Sequence, residues 1–188
     1  MKENKIKVAW GITGCGDKLK ETLEIMTKLK EKYGKTVEIE VFLSKAAEQV
    51  AKYYKIYDRL HSDFSSVLVE ENANKPFLAG RIQVGEFRFF LVAPASSNTV
   101  AKIAYGISDT LITNSVIQGL KTSVPVYIMP CDYYEGEITT ILPNGKSLKL
   151  RVRKEDAGNV RVLERMEGLK SFEKPEEIVD IFKGEFGS

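Results

Sequence analysis

The stretch Phe87–Asn114, F-R-F-F-L-V-A-P-A-S-S-N-T-V-A-K-I-A-Y-G-I-S-D-T-L-I-T-N, sets the expectations for the whole chain. Phe87 to Ala93 is an apolar run of strand length, rich in aromatic and branched residues, and reads as a buried sheet strand. Pro94 has no N–H to give to a ladder, so the predicted strand ends there. Ala95, Ser96, Ser97, Asn98 and Thr99 then precede a helical pattern through Val100, Ile103, Ala104 and Ile107. Small side chains let a flat ligand lie against backbone, while hydroxyls and an amide offer hydrogen bonds without charge. A helix N-terminus after a strand's carboxyl end is where open α/β sheets bind ligands. Ser, Asn and Thr are also favoured helix caps. From the residues alone, the segment is either a cap or a ligand loop.

Working outward, Lys5 to Ile12 reads as a first strand that runs into Gly11-Ile-Thr13-Gly14-Cys15-Gly16. The glycine spacing is not the G-x-G-x-x-G dinucleotide fingerprint. It is still a glycine-rich turn feeding a helix, with Leu19, Leu23, Met26 and Leu29 at helical spacing, and such a turn presents N–H groups to a phosphate. Cys15 at that helix start is either a thiol of lowered pKa or a small filler. Val37 to Leu43 is a second strand, with Ser44 as N-cap of a helix reaching about Tyr57. Residues 59–81 show no regular pattern and contain the single histidine, His61, read as a surface residue. Asp109 to Leu120 is a further helix interrupted by Asn114 and Gln118, and Val124 to Met129 is another core strand. Pro130, Cys131, Asp132, Tyr133 and Tyr134 follow it; the tyrosines suit either ring stacking or an interface. Glu137 to Arg153 reads as a β-hairpin turning at Pro143-Asn144-Gly145. Its apolar face (Leu148, Leu150, Val152) must rest on a neighbouring protomer or on the rim of the site. Helices follow around Asp156–Met166 and from Pro175.

Composition narrows the function classes. A chain of 188 residues is expected to be one domain, burying about 70% of its unfolded surface. Hydrophobic content of 43% and charged content of 29% are ordinary for a globular protein. A net charge of +2, with no basic stripe carrying interleaved aromatics, argues against nucleic acid. No apolar run reaches membrane-spanning length, and M-K-E-N-K-I lacks a signal peptide's core, so neither a membrane nor a targeting segment is expected. Two cysteines do not suggest a disulfide scaffold, which favours a cytoplasmic setting. They are also too few for a four-cysteine iron–sulfur cluster, so electrons, if handled, would need an organic cofactor.

The run P-A-S-S-N-T-V-A-K-I-A-Y-G-I-S-D-T-L-I-T resembles the P-A-S-A-N-T-I-A-K-I-A-x-G-I-A-D-x-L-L-T signature of the FMN-binding flavoprotein superfamily, the homo-oligomeric flavin-containing cysteine decarboxylase type. Weaker similarity extends over Lys5–Asp132. The resemblance implies an α/β, Rossmann-like three-layer α/β/α fold with a mostly parallel sheet, here with a C-terminal β-hairpin plus helix extension. That gives a single domain over residues 1–188, with a core of about 5–132 and the extension beyond it. It implies a homotrimer, or a larger assembly of trimers, with FMN between protomers. The cofactor residues it points to are Gly11, Thr13, Gly14, Cys15, Ser44, Ala95, Ser96, Ser97, Asn98, Thr99 and Asn114, with no metal and no assigned catalytic residue. The hairpin-bearing tail and M-P-C-D most resemble the archaeal flavoprotein and dihydromethanopterin reductase branch. That branch implies electron transfer from a ferredoxin-type donor through FMN to a pterin. Family decarboxylases carry a functional histidine about a dozen residues before this proline; here Arg81 stands near that place. A cysteine decarboxylase or flavin prenyltransferase is the alternative.

Overall fold

The structure, a computed structural model, describes residues 5–187; the reading of the extreme amino terminus lies outside them. The strands are β1 (Ile6–Ile12), β2 (Val37–Leu43), β3 (Ser66–Val69), β4 (Phe87–Ala95), β5 (Val126–Pro130), β6 (Gly136–Ile141), β7 (Ser147–Val152) and β8 (Leu169–Ser171). The helices are α1 (Leu19–Tyr33), α2 (Lys45–Tyr53), α3 (Tyr57–Asp63), α4 (Leu78–Gln83), α5 (Ser97–Ala104), α6 (Leu111–Leu120), α7 (Lys154–Leu163) and α8 (Glu177–Phe186). Six strands form one parallel sheet in the order β3-β2-β1-β4-β5-β8, and β6 pairs with β7 in a separate antiparallel ribbon.

The pleat explains the layers. Alternate residues of β4 point to opposite faces. Phe89, Leu91 and Ala93 join Trp10, Leu23 and Phe182 in one core, against α1, α2, α3 and α8. Phe90 and Val92 join Val100, Ile112 and Val116 in the other, against α4, α5, α6 and α7. Burying both faces is why β4 reads as a continuous apolar run rather than an alternating one. Trp10 is fully buried and donates its indole N–H to the Ala93 carbonyl at 2.7 Å, which satisfies its polar edge inside the core. The C-terminal extension completes both layers, because α7 packs with α5 while α8 packs with α1.

Several boundaries differ from the sequence reading. β4 does not stop at Pro94. It runs to Ala95, which pairs with Pro130 after a register shift beyond Val92, so the proline sits where the ladder is already interrupted. Residues 59–81 are not irregular: they hold most of α3, all of β3 and the start of α4, each too short to give a period. β8, of three residues, was invisible for the same reason. The helix after the small-residue loop ends at Ala104 rather than Ile107, because Gly106 takes a left-handed φ of 70°. α6 starts at Leu111 behind Thr110, which caps it reciprocally with Thr113. The last two helices fall at Lys154–Leu163 and Glu177–Phe186.

Candidate functional site

The strand order reverses between β1 and β4, whose exit loops lead to α1 on one face and α5 on the other. A crevice opens at such a switch point, outside the carboxyl ends of the strands. Here it is a cleft of about 290 Å³ between Gly14, Cys15, Gly16 and Asp17 on one side and Ser96, Ser97, Cys131 and Asp132 on the other. Ile138, Thr140, Leu142, Leu148 and Leu150 of the ribbon roof it, and Tyr54 forms one end. A second hollow of about 320 Å³ continues past Asp17 and Tyr54 along Thr139 and Ile141. Leu148 and Leu150 of the hairpin's apolar face line the rim of the site, yet both remain exposed.

Thr13 joins the two loops. Its N–H and its hydroxyl both donate to the Pro94 carbonyl, at 3.2 and 3.1 Å, and its hydroxyl oxygen accepts from the Ser96 N–H at 2.7 Å. Fully buried, it braces the crevice from below. Gly14 and Gly16 are where backbone must approach closely: a Cβ on Gly14 would sit 2.7 Å from that of Ala46, and one on Gly16 would sit 2.4 Å from the Tyr54 ring. Gly11 lies inside β1, where Ile112 and Phe90 occupy the space a side chain would need.

Ser96 caps α5 by accepting from the Thr99 N–H at 3.4 Å, and Asn98 is exposed in the first turn. The first backbone N–H groups of a helix lack intrahelical partners, so this turn faces outward with donors to spare. Ser97 donates a short hydrogen bond to the Asp132 carboxylate, and the Ala95 carbonyl accepts from the Cys131 N–H at 2.9 Å. Ser44 caps α2 by accepting from Ala47 at 3.0 Å. The buried Glu70 carboxylate accepts from Lys45 N–H at 3.2 Å and Leu111 N–H at 3.0 Å, joining the starts of α2 and α6. Nothing in the sequence singled it out except an acid at the end of an apolar run. Asn114 is not brought to the cleft lining; its amide donates to the Ala73 carbonyl and to Asn74 at 3.0 and 3.1 Å.

Three expectations are corrected here. Cys15 and Cys131, read as too few for a scaffold, are joined by a disulfide across 116 positions. Strand order brings them together, because β1 and β5 flank β4 and both cysteines lie just beyond the carboxyl ends of their strands. Cys15 is therefore neither an activated thiol nor a filler in this state. Tyr133 and Tyr134 face the α7 side, where the Arg161 guanidinium lies 5.0 and 5.1 Å from their ring centroids and Tyr133 donates to Glu164 at 2.8 Å. The aromatic at the cleft is Tyr54, and burial pushes its hydroxyl above the ordinary phenol range. Arg81, counted to the place of a functional histidine, sits instead at the amino end of the sheet. It makes a bidentate pair with Glu40 at 2.8 and 2.7 Å and pairs with Glu86 at 2.9 and 2.7 Å, with Lys7 alongside. His61 packs on Tyr57 in α3, ring centroids 4.6 Å apart, and does not line the cleft.

The electrostatics of the cleft are mildly acidic. Burial holds the Asp17 carboxyl above the usual carboxylate range; Lys18 opposes this, while Glu21 and Asp132 reinforce it. A larger hollow of about 650 Å³ lies at the opposite edge, by Lys7, Val84, Glu86 and Ser123. Lys7 and Glu86 pair with each other there and Arg88 pairs with Glu185, and the amino ends of parallel strands do not gather helix N-termini.

A doubly wound parallel sheet with a small-residue, helix-start crevice at its switch point defines an α/β protein that binds a phosphate-bearing ligand. The chain belongs to the Flavoprotein family, whose model matches residues 1–186. It is 55% identical over 173 residues, 92% of each chain, to an uncharacterized protein of Methanocaldococcus jannaschii. It is 28% identical to the dihydromethanopterin reductase (acceptor) of the same organism, over 94% of this chain and 96% of that one. Among solved structures it is similar to Burkholderia xenovorans DmrB in complex with FMN, described as a cubic protein cage for redox transfer. The TM-score is 0.79 at 31% identity, covering 97% of this chain and 96% of the other. No helix among the described residues is long and apolar enough to cross a membrane.

Proposed function

We propose that this chain is an FMN-dependent oxidoreductase that accepts electrons from a ferredoxin-type donor and passes them to a pterin such as dihydromethanopterin. The observation that carries this reading is the β1/β4 crevice, in a chain similar over nearly its whole length to an FMN-complexed redox protein. The residues present suit the cofactor. Gly14 and Gly16 let the β1 loop pack close against α2 and Tyr54, which sets the cleft's width. The Ser97 and Asn98 N–H groups and the exposed Asn98 amide offer uncharged donors at a helix start that Ser96 and Thr99 hold in shape, and the Ser44 hydroxyl keeps its own proton to donate while accepting from Ala47. Gly11, Thr13, Cys15, Ala95 and Asn114 complete the expected set, Thr13 and Asn114 acting through the loops they brace.

When bound, FMN supplies the one- and two-electron chemistry of the transfer from donor to pterin. The protein's part is placement and exclusion of water. Ile138, Leu148 and Leu150 cover the crevice with apolar surface, and Thr140 shares that face opposite Leu148. On the opposite face of the ribbon, Lys149 and Arg151 are exposed, suiting an acidic electron-transfer partner. A cleft of about 290 Å³ is at the low end for a small-molecule site, so a second protomer completing it accords with a homotrimer or an assembly of trimers. Exposed Tyr105 and Ile107, in the loop after α5, offer apolar surface for that contact. A cytoplasmic setting belongs to the same reading. Decarboxylation is the weaker reading, because neither His61 nor Arg81 stands at the crevice.

The test is an absorbance spectrum of the purified protein, release and mass measurement of its cofactor, and anaerobic stopped-flow mixing with reduced ferredoxin followed by a dihydropterin acceptor. Flavin bands, about one FMN per chain and reduction by ferredoxin are expected. A colourless protein that ignores added FMN refutes the assignment. Decarboxylation of a peptidyl-cysteine, with no flavin reduction by ferredoxin, would transfer it to the lyases.

A further inference from the structure

The Cys15–Cys131 disulfide lies in the wall of the crevice rather than in either apolar core. We propose that this pair is a thiol–disulfide redox centre, opened and closed in the folded protein by exchange with a dithiol reductant.

Its setting differs from that of a stabilising staple. A domain of this size, with two cores already filled, does not depend on a disulfide for its fold. The two loops are also tied without it. Thr13 fixes the β1 loop to Pro94 and Ser96, and the Cys131 N–H bonds to Ala95 across the β4/β5 ladder. Opening the sulfur bridge therefore leaves both backbones anchored. Both cysteines line the cleft, but Cys131 is 8% exposed whereas Cys15 is half-buried, so Cys15 is the more accessible to a nucleophile. The Asp17 main-chain carbonyl lies 3.7 Å from Cys15 Sγ. That contact becomes a hydrogen bond only when the sulfur carries a proton, so the reduced form has an acceptor in place.

The exchange balances as follows. A reductant thiolate attacks Cys15 Sγ, the Cys15–Cys131 bond breaks, and Cys131 leaves as a thiolate that takes up a proton. The reductant's second thiolate then displaces Cys15 from the mixed disulfide and Cys15 is protonated. The reductant ends as a cyclic disulfide, and the protein gains two electrons and two protons.

The test uses the folded full-length chain, with and without FMN, equilibrated in mixtures of reduced and oxidised dithiothreitol. Samples are acid-quenched and alkylated, and modified cysteines are counted by mass. Zero modified cysteines are expected at the oxidised end and two at the reduced end, in one two-electron transition, with the far-ultraviolet circular dichroism unchanged. The Cys131→Ser protein should take up one glutathione at Cys15 from oxidised glutathione. The Cys15→Ser/Cys131→Ser protein should melt within about 3 °C of the parent. Two modifiable cysteines under oxidised dithiothreitol, or a bond reduced only after unfolding in guanidinium, overturns the proposal. So does a melting point collapsed in the double variant. None of these readouts needs flavin, so their failure is distinct from failure of the reductase reading.

Discussion

Replacing Arg81 with methionine separates a structural role from a functional one. The guanidinium holds Glu40 through two bonds and Glu86 through two more, and it lies over Phe87, with Cζ 4.6 Å from the ring centroid. Methionine keeps much of that packing but strands Glu40, whose side chain is 7% exposed and would retain only Lys7 at 3.3 Å. Removing one partner of a buried pair costs about 3–5 kcal/mol, and the remaining lysine places Arg81→Met near the lower figure. Glu86, one-third exposed, adds little. At about 2–4 °C per kcal/mol for a chain of this size, the melting temperature should fall by about 6–12 °C. Adding Glu40→Gln removes the stranded charge and should recover at least half of that loss. Circular dichroism melts at neutral pH measure both variants, and FMN titration at 25 °C should give the parental affinity within about threefold. A melting point within 1 °C of the parent would refute the buried-charge reasoning. A large loss of FMN affinity in a well-folded Arg81→Met protein would refute the placement of Arg81 away from the crevice.

Acid should act through the same cluster. Arg81, then Lys7, hold the Glu86 carboxyl down to about 2 from an ordinary 4.5; burial opposes the shift at Glu40, but Arg81 and Lys7 outweigh it. The unfolded chain therefore binds more protons, so this contribution is complete above about pH 4.5 and fades as pH falls toward 2; melts across that window should show a shallower slope in Arg81→Met. Gly14→Val would drive its side chain into Ala46, and titration should show FMN binding weakened at least tenfold with secondary structure retained. Phe182→Ala, in the cluster with Phe89, Tyr33 and Phe186, should cost about 3–5 kcal/mol in denaturant melts, since the extension helix fills a core rather than decorating it. Reversing Lys149 and Arg151 to glutamate should slow flavin reduction by ferredoxin at low salt and lose that effect as salt rises; a salt-independent rate would move the docking face elsewhere.

Local chemistry made much of this protein legible in one dimension. An apolar run such as Phe89–Ala95 can be buried on both faces only in a covered sheet, and β4 is that strand. Glycines and hydroxyls following β1 and β4 announced loops built for close approach, and the structure sets them side by side at the switch point. Pro143-Asn144-Gly145 and the alternation around it disclosed the ribbon, because turn geometry and a period of two are properties of neighbouring residues. What tertiary structure alone decided depends on strand order, which no short window contains. It placed Cys131 beside Cys15 across 116 positions, carried Arg81 to the amino end against Glu40, and seated Tyr54 over Gly16. It also gave β3 and β8 their existence: strands of four and three residues have too few side chains to show a period, and are held by the ladder of the strand they join.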